Sequence, residues 1–283
     1  MPRILIAGCG YVGSATADLF LKNGWEVEGW TASAETAERL GNSAGYPVRA
    51  VNVIDPAAVD RAASGFDAVI QSASSRGGGA DAYRQIYLRA AQNLAAAFPD
   101  ALHLFTSSTS VYAQTNSEWV TEESAANPAR ETGRVLRETE EFVLGRGGIV
   151  ARLAGIYGPG RSALLRKFLE GSAVLDPAAD RFVNQAHRDD IAAALLLLVQ
   201  QRCGGEIYNV ADHHPISQRA CYEWLAAHLG RPLPPVTGSL VERKRGASNK
   251  RVSSAKLQAI GWSPEYPTFG EAMVRSILPA AGL

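Results

Sequence analysis

Cysteine, net charge and long apolar runs are all scarce in this chain of 283 residues. Its three cysteines, Cys9, Cys203 and Cys221, form no Cys-x-x-Cys and cannot all pair, which points to a reducing, cytoplasmic setting. Lysine and arginine total 28 and are matched by 28 acidic residues, so the basic excess of a general nucleic-acid binder is missing. The longest apolar run, Ile191–Val199, is far short of the roughly 20 residues that span a bilayer. An apolar run beginning at Ile4 leaves no room for a signal peptide. Of five histidines, the adjacent His213 and His214 lack the i, i+4 spacing that sets two ligands on one helix face, so no metal is expected. Neither an internal repeat nor a long low-complexity segment interrupts the chain. These exclusions leave a globular protein, 46% apolar, long enough to bury roughly 75% of its unfolded surface without staples.

Short apolar runs alternate with helical patterns through the first two-thirds. Strands are expected at Ile4–Ala7, Glu26–Trp30, Val48–Val51, Ala68–Ile70, Leu102–Thr106 and Ile149–Arg152. Helices are expected near Val12–Lys22, Ala34–Leu40, Pro56–Ala62, Asp81–Ala97 and Arg130–Leu144. Such alternation predicts an α/β fold, a doubly wound parallel sheet covered on both faces. After Tyr157 the break Gly158-Pro159-Gly160 changes the pattern. Helices follow near Leu164–Glu170, Ile191–Gln200 (capped by Asp189 or Asp190) and Gln218–Leu229, with a strand at Glu206–Val210. The division expected is a dinucleotide domain over 1–157 and a smaller cap with returning sheet elements over 158–283.

The most informative stretch is Ile4-Leu5-Ile6-Ala7-Gly8-Cys9-Gly10-Tyr11-Val12-Gly13. GxGxxG alone is weak evidence, but here it ends a strand and opens a helix. Gly8 permits the tight turn, Gly10 lets a pyrophosphate approach, and Gly13 lets helix pack on strand, with Tyr11 and Val12 opening the helix. Free N–H groups and the helix dipole favour the phosphate charge. At the end of the second strand, where an acid selects NAD and an arginine NADP, the chain offers Thr31 and Ser33. They bond a hydroxyl or phosphate, or they cap the next helix; with Arg39 one turn on, the choice between NADP and NAD leans to NADP. Asn52 and Val53, with Ser72 and Ala73, complete the expected cofactor site.

The chain resembles the extended and atypical short-chain dehydrogenase/reductases, the NAD-dependent epimerase/dehydratase group. The resemblance is carried by the glycine loop, Asp67–Ala73, Leu104–Tyr112, Ala151–Arg161, His187–Ile191 and Ile207–Val210, ordered along nearly the whole chain. It implies a Rossmann-type domain, NAD or NADP, and a small-molecule substrate held between that domain and a small C-terminal cap. Ser108 matches the family's catalytic serine, which hydrogen-bonds the substrate oxygen. The family then uses a Tyr four residues before a Lys, because a phenol near pKa 10 is a poor proton donor at neutral pH unless a cation lowers it.

That pair is missing. Thr132 stands where the Tyr is expected and Leu136 where the Lys is expected, and none of the nine tyrosines has a Lys four residues later. The glycine loop is also one residue shorter than the family's usual GxxGxxG. Both departures place the chain in the atypical branch. Tyr112, four residues after Ser108, is the candidate proton donor, or else a packed loop aromatic. Arg134 or Arg137 supplies the lost positive charge near the cofactor, or else is solvated on its helix. Tyr157 and Arg161 match the substrate-side loop, where Arg161 can pair with an anionic group or simply start a surface helix. Gly77-Gly78-Gly79 form either a lid or a plain loop. The basic cluster Arg243-Lys244-Arg245, with Lys250 and Arg251 nearby, reads as a solvated run or, less readily, a nucleotide-sugar contact.

Two functions follow. One is an NAD(P)-dependent oxidoreductase or epimerase of atypical catalytic type, acting on a small polar carbonyl, alcohol or sugar-like substrate. The other is a catalytically silent NAD(P) sensor. The family resemblance also implies a homodimer through the helices Asp81–Ala97 and Arg130–Leu144. Neither nucleic acid nor membrane is an expected partner.

Overall fold

Strand after strand of the central sheet is buried on both faces, which is why the sequence reads as unbroken apolar runs rather than alternation. The computed structural model describes residues 1–75, 77–176, 180–212, 214–236 and 248–283. Seven strands make that sheet: β1 (Arg3–Ala7), β2 (Glu26–Thr31), β3 (Val48–Ala50), β4 (Ala68–Gln71), β5 (Leu102–Ser108), β6 (Ile149–Leu153) and β7 (Ile207–Val210). Their order is β7-β6-β5-β4-β1-β2-β3, so the chain winds outward from β1 in one direction and then, from β4, in the other. Parallel register is set by pairs such as Ile4↔Val27, Ile4↔Ala68, Ala68↔Leu102 and Gly29↔Val48. This is the Rossmann-type α/β fold. The switch between the two windings lies beside β1, whose C-terminal end carries the glycine loop.

Two compact units share the chain. The first comprises Met1–Val111, Ala126–Arg152 and Ile191–Tyr208; the second comprises Tyr112–Ala125, Leu153–Asp190 and Asn209–Leu283. Trp30, Val69, Leu94 and Phe98 lie in a core cluster of the first, and Phe168, Tyr222, Phe269 and Met273 in one of the second. Three two-stranded sheets of the second unit escape the sequence pattern: Gly155–Tyr157 with Gln185–His187, Phe182–Val183 with Ile216–Ser217, and Glu118–Val120 with Lys250–Val252. Each strand is three residues or fewer, too short for a period to register.

Two expected helices differ in detail. The helix expected at Asp81–Ala97 runs Ala80–Ala97, but its middle, Arg84–Arg89, widens into a π turn. The cause is an outside donor: the Gln71 side-chain amide bonds the carbonyls of Ile86 (3.1 Å) and Tyr87 (2.9 Å). The helix expected from Ile191 begins at Arg188. Asp190 is no cap; its carboxylate accepts from the amides of Glu265 (2.6 Å) and Tyr266 (3.1 Å).

Candidate functional site

The turn after β1 is held by backbone bonds from Gly8 and Cys9 to the Trp30 carbonyl and from Gly10 to the Gly8 carbonyl. Gly8 has φ +111°, and a Cβ there would sit 2.1 Å from the Ala73 nitrogen, so no other residue fits. A Cβ on Gly13 would sit 2.3 Å from the Gly8 carbonyl oxygen, the close helix–strand approach that this glycine allows. Ser72 locks the turn from β4, its hydroxyl donating to the Gly8 carbonyl at 2.9 Å. Gly10 differs from both: a Cβ there meets nothing nearer than 4.0 Å. Open space therefore lies above Gly10, at the start of the helix Tyr11–Lys22. That helix has no side-chain cap and no acidic residue in its first turn, so the dipole at its start favours negative charge there. Tyr11 is half-buried and Val12 buried in that turn. A dinucleotide's pyrophosphate fits this cradle. Cys9 is buried, and burial pushes its thiol up, as expected of a small loop residue rather than a reactive one.

At the far end of β2, Thr31 is buried and donates to the Ser33 carbonyl at 3.0 Å. Ser33 caps the helix Ala34–Gly41, accepting from the Thr36 amide; Arg39 is exposed on that helix. Asn52 is exposed, its side chain accepting from the Ile54 amide at 3.3 Å. Val53 is buried, and its carbonyl accepts from the buried Asn93 amide at 3.0 Å. Thr31 and Ser33 thus stand at the C-terminal end of β2 and Asn52 and Val53 just past β3, while Ser72 and Ala73 meet the glycine turn from the end of β4.

Ser108 ends β5, half-buried, with its Oγ accepting from the Ser110 amide at 3.2 Å. Tyr112 belongs to the second unit. It is fully buried, and its hydroxyl donates to Asn209 Oδ1 at 2.9 Å. Asn209, also fully buried, is fixed in turn by its side-chain bond to the Ser253 carbonyl and its amide bond to Glu122. This is the geometry of a packed, satisfied phenol.

On the helix Glu131–Leu144, Thr132 is half-buried and Leu136 is 4% exposed, so the positions of the absent Tyr–Lys pair hold a small hydroxyl and a core methyl cluster. Arg134 is exposed and donates to the Ala129 carbonyl at 2.7 Å. Arg137 pairs with Glu140 and Glu141. Glu140, fully buried, also accepts from Ser107 at 2.5 Å and from the Arg152 guanidinium at 3.0 and 2.7 Å. Both arginines proposed from the sequence are therefore engaged in local structure.

In the second unit Tyr157 is 1% exposed, and its hydroxyl has no hydrogen-bond partner among the described residues. Burial, and next the charge of Asp212, pushes that phenol up. Asp212 is itself buried and held well above the usual carboxyl range by burial and the nearby Asp190; the His214 amide only partly offsets this, and among the described residues no donor reaches either oxygen in full hydrogen-bond geometry. Arg161 is exposed, its backbone closing a turn with Gly158. Gly77 and Gly78 have φ of +110° and +95°, conformations that favour glycine. Arg76, His213 and the Arg243-Lys244-Arg245 cluster lie outside the described residues. Among the described residues no group of three or more His, Cys, Asp or Glu side chains could hold a metal, and no helix is long and apolar enough to cross a membrane. Lys250, read from the sequence only as a neighbour of the basic cluster, is not on a solvated run. It is 6% exposed, yet in the sequence it is one cation in a basic stretch, and nothing there marks it as buried.

Residues 4–211 match the model of the NAD dependent epimerase/dehydratase family. Protein YeeZ of Escherichia coli strain K12 is 32% identical over 279 residues, covering 94% of this chain and 97% of that protein. Among solved structures, a Methylobacillus flagellatus protein provisionally described as an NAD-dependent epimerase/dehydratase superposes with TM-score 0.80 at 27% identity, over 100% of this chain and 99% of that one. UDP-glucose 4-epimerase of Thermus thermophilus, in complex with NAD, gives TM-score 0.81 at 20% identity, over 100% and 99%; at that identity the likeness is one of fold.

Proposed function

The chain belongs to the NAD dependent epimerase/dehydratase family, and from that premise we propose that it is an NAD(P)-dependent oxidoreductase or epimerase of atypical catalytic type, acting on a small polar carbonyl, alcohol or sugar-like substrate. The observation that carries the reading is the glycine turn, sterically locked at Gly8 and Gly13 and open only above Gly10. Gly10 and the amides of Tyr11 and Val12 hold the pyrophosphate, Ser72 and Ala73 fix the turn, and Thr31, Ser33, Asn52 and Val53 meet the adenosine ribose. Thr31 and Ser33 carry no acid, which supports NADP over NAD. The bound nicotinamide supplies hydride chemistry. Ser108 donates to the reacting substrate oxygen, and Arg161 and Tyr157 contact the substrate. Tyr112 remains the candidate proton donor on its place in the sequence, although its buried bond to Asn209 supports a framework role.

A second reading, a dinucleotide sensor without catalysis, is favoured by the buried Leu136 at the position of the family's lysine. Titration with NADPH and NADH, together with a carbonyl-substrate panel, separates the two. Gly10→Val should weaken both cofactors at least about tenfold, a loss of about 1.4 kcal/mol or more, because its side chain fills the cradle. Parent-like binding in that variant refutes the site. Ser108→Ala should lower turnover roughly 10²-fold; binding with no turnover by the parent on any substrate selects the sensor. Restoring Tyr at Thr132 and Lys at Leu136 should bring little gain, since the lysine stem would enter packed core.

A further inference from the structure

We infer that Asp212, Tyr157 and Gln185 form a buried site for a monovalent cation in the second unit. Four oxygens carry the inference. Both carboxylate oxygens of Asp212, the Tyr157 hydroxyl and the Gln185 Oε1 have no hydrogen-bond partner among the described residues. The three side chains are 3%, 1% and 7% exposed. A two-stranded sheet brings them together: Gly155–Tyr157 runs parallel to Gln185–His187, with Gly155 opposite Gln185 and Tyr157 opposite His187. Residues two apart on a strand share a face. The Tyr157 and His187 rings meet edge to face at 5.7 Å, and a Cβ on Gly155 would lie 3.9 Å from the Gln185 Cγ. Tyr157 and Gln185 therefore stand on one face. Asp212 is tied to the same strand, its amide donating to the Gln185 carbonyl at 2.6 Å. Its carboxylate is also the charge that acts most strongly on the Tyr157 phenol.

Every open atom is an oxygen that can accept, and the charges around them are acidic as well. Asp190 acts on Asp212, and Asp190 and Glu271 act on Tyr157. No basic side chain pairs with Asp212 among the described residues. Buried oxygens without partners are costly, so the site calls for an occupant. A single water donates two hydrogen bonds and leaves the carboxylate charge uncompensated. A proton on Asp212 cancels the charge but serves one oxygen. A sodium, potassium or ammonium ion cancels the same charge and faces all four oxygens at once, the ligand type that hard cations take. A divalent ion would bury an excess positive charge, because the neighbouring carboxylate, Asp190, is already spent on the Glu265 and Tyr266 amides. Burial and Asp190 make Asp212 hold its proton tightly, and the cation takes that proton's place and releases it.

Thermal unfolding of the full chain, near pH 8 where proton competition is weak, is measured in potassium, sodium, ammonium and choline chloride at equal ionic strength. The parent is compared with Asp212→Asn and Tyr157→Phe. Choline is too large for a buried site and sets the baseline. Parent Tm should be at least about 2 °C higher in one or more of the small cations. Asp212→Asn should abolish that difference and Tyr157→Phe should reduce it by at least half, while general salt effects act on all three proteins alike. Equal parent Tm in all four salts overturns the inference, and so does a difference that Asp212→Asn retains in full. Should both variants fail to fold, crystals of the parent grown in rubidium chloride decide: an anomalous peak between Asp212 and Tyr157 supports the site, and its absence overturns it. Turnover enters none of these readings, so the site stands or falls apart from the oxidoreductase proposal.

Discussion

The two units treat buried charge in opposite ways. In the first, Glu140 is fully buried but surrounded: Arg152, Arg137 and Ser107 all donate to it, and two cations face one carboxylate. In the second, among the described residues, Asp212 lacks a donor in full geometry, the Tyr157 hydroxyl lacks a partner, and Lys250 bonds neutral acceptors. A completed network fixes one arrangement of helix, β5 and β6 and belongs to the framework. Groups left incomplete in a low-dielectric interior are costly, and such groups gather where a ligand is to be met. The comparison places the framework's rigidity in the first unit and its unfinished chemistry in the second.

The largest test removes the hub of the completed network. Glu140→Gln keeps the shape but takes the carboxylate from the buried Arg152 guanidinium, while Arg137 keeps Glu141, and urea unfolding should show a loss of about 3–5 kcal/mol. A loss below about 1 kcal/mol would break the contrast, for the network would then be no framework.

A pH effect tests the second unit. Burial raises the Asp190 carboxyl to about 6 in spite of two backbone amide bonds. A carboxyl raised on folding contributes stability that is complete below the unfolded value near 3.8 and is lost as pH rises through about 6. Parent stability relative to Asp190→Asn should therefore fall by about 2–3 kcal/mol between pH 4 and pH 7. A flat difference would show that Asp190 is as well compensated as Glu140.

The smallest effect sharpens the status of Tyr112. Tyr112→Phe deletes the hydroxyl bonded to Asn209 and should cost about 1 kcal/mol by denaturant titration. Where a substrate has been found, turnover in the same variant discriminates between roles: retention above half of parent assigns the phenol to the framework, and a loss of roughly 10²-fold or more assigns it the proton.

Much of the first unit was legible in the sequence. All seven central strands and the helices between them follow from apolar runs and 3.6-residue spacing, since both depend on local pattern. The steric roles of Gly8 and Gly13 were legible too, because a strand–turn–helix with this spacing has few solutions. The π turn at Arg84–Arg89 was not, since it is made by Gln71, a residue outside the helix. Nor were the two engaged arginines, whose partners depend on the directions in which one helix face points.

What the sequence by itself determined is the parallel sheet and the glycine turn, both products of short-range periodicity and of glycine's freedom at fixed positions. Only the tertiary structure decided which polar side chains are satisfied. It bonds Tyr112 to Asn209, 97 residues away, and brings Lys250 to the Tyr112 carbonyl across 138. Burial and pairing are set by such distant contacts, and no local pattern encodes them.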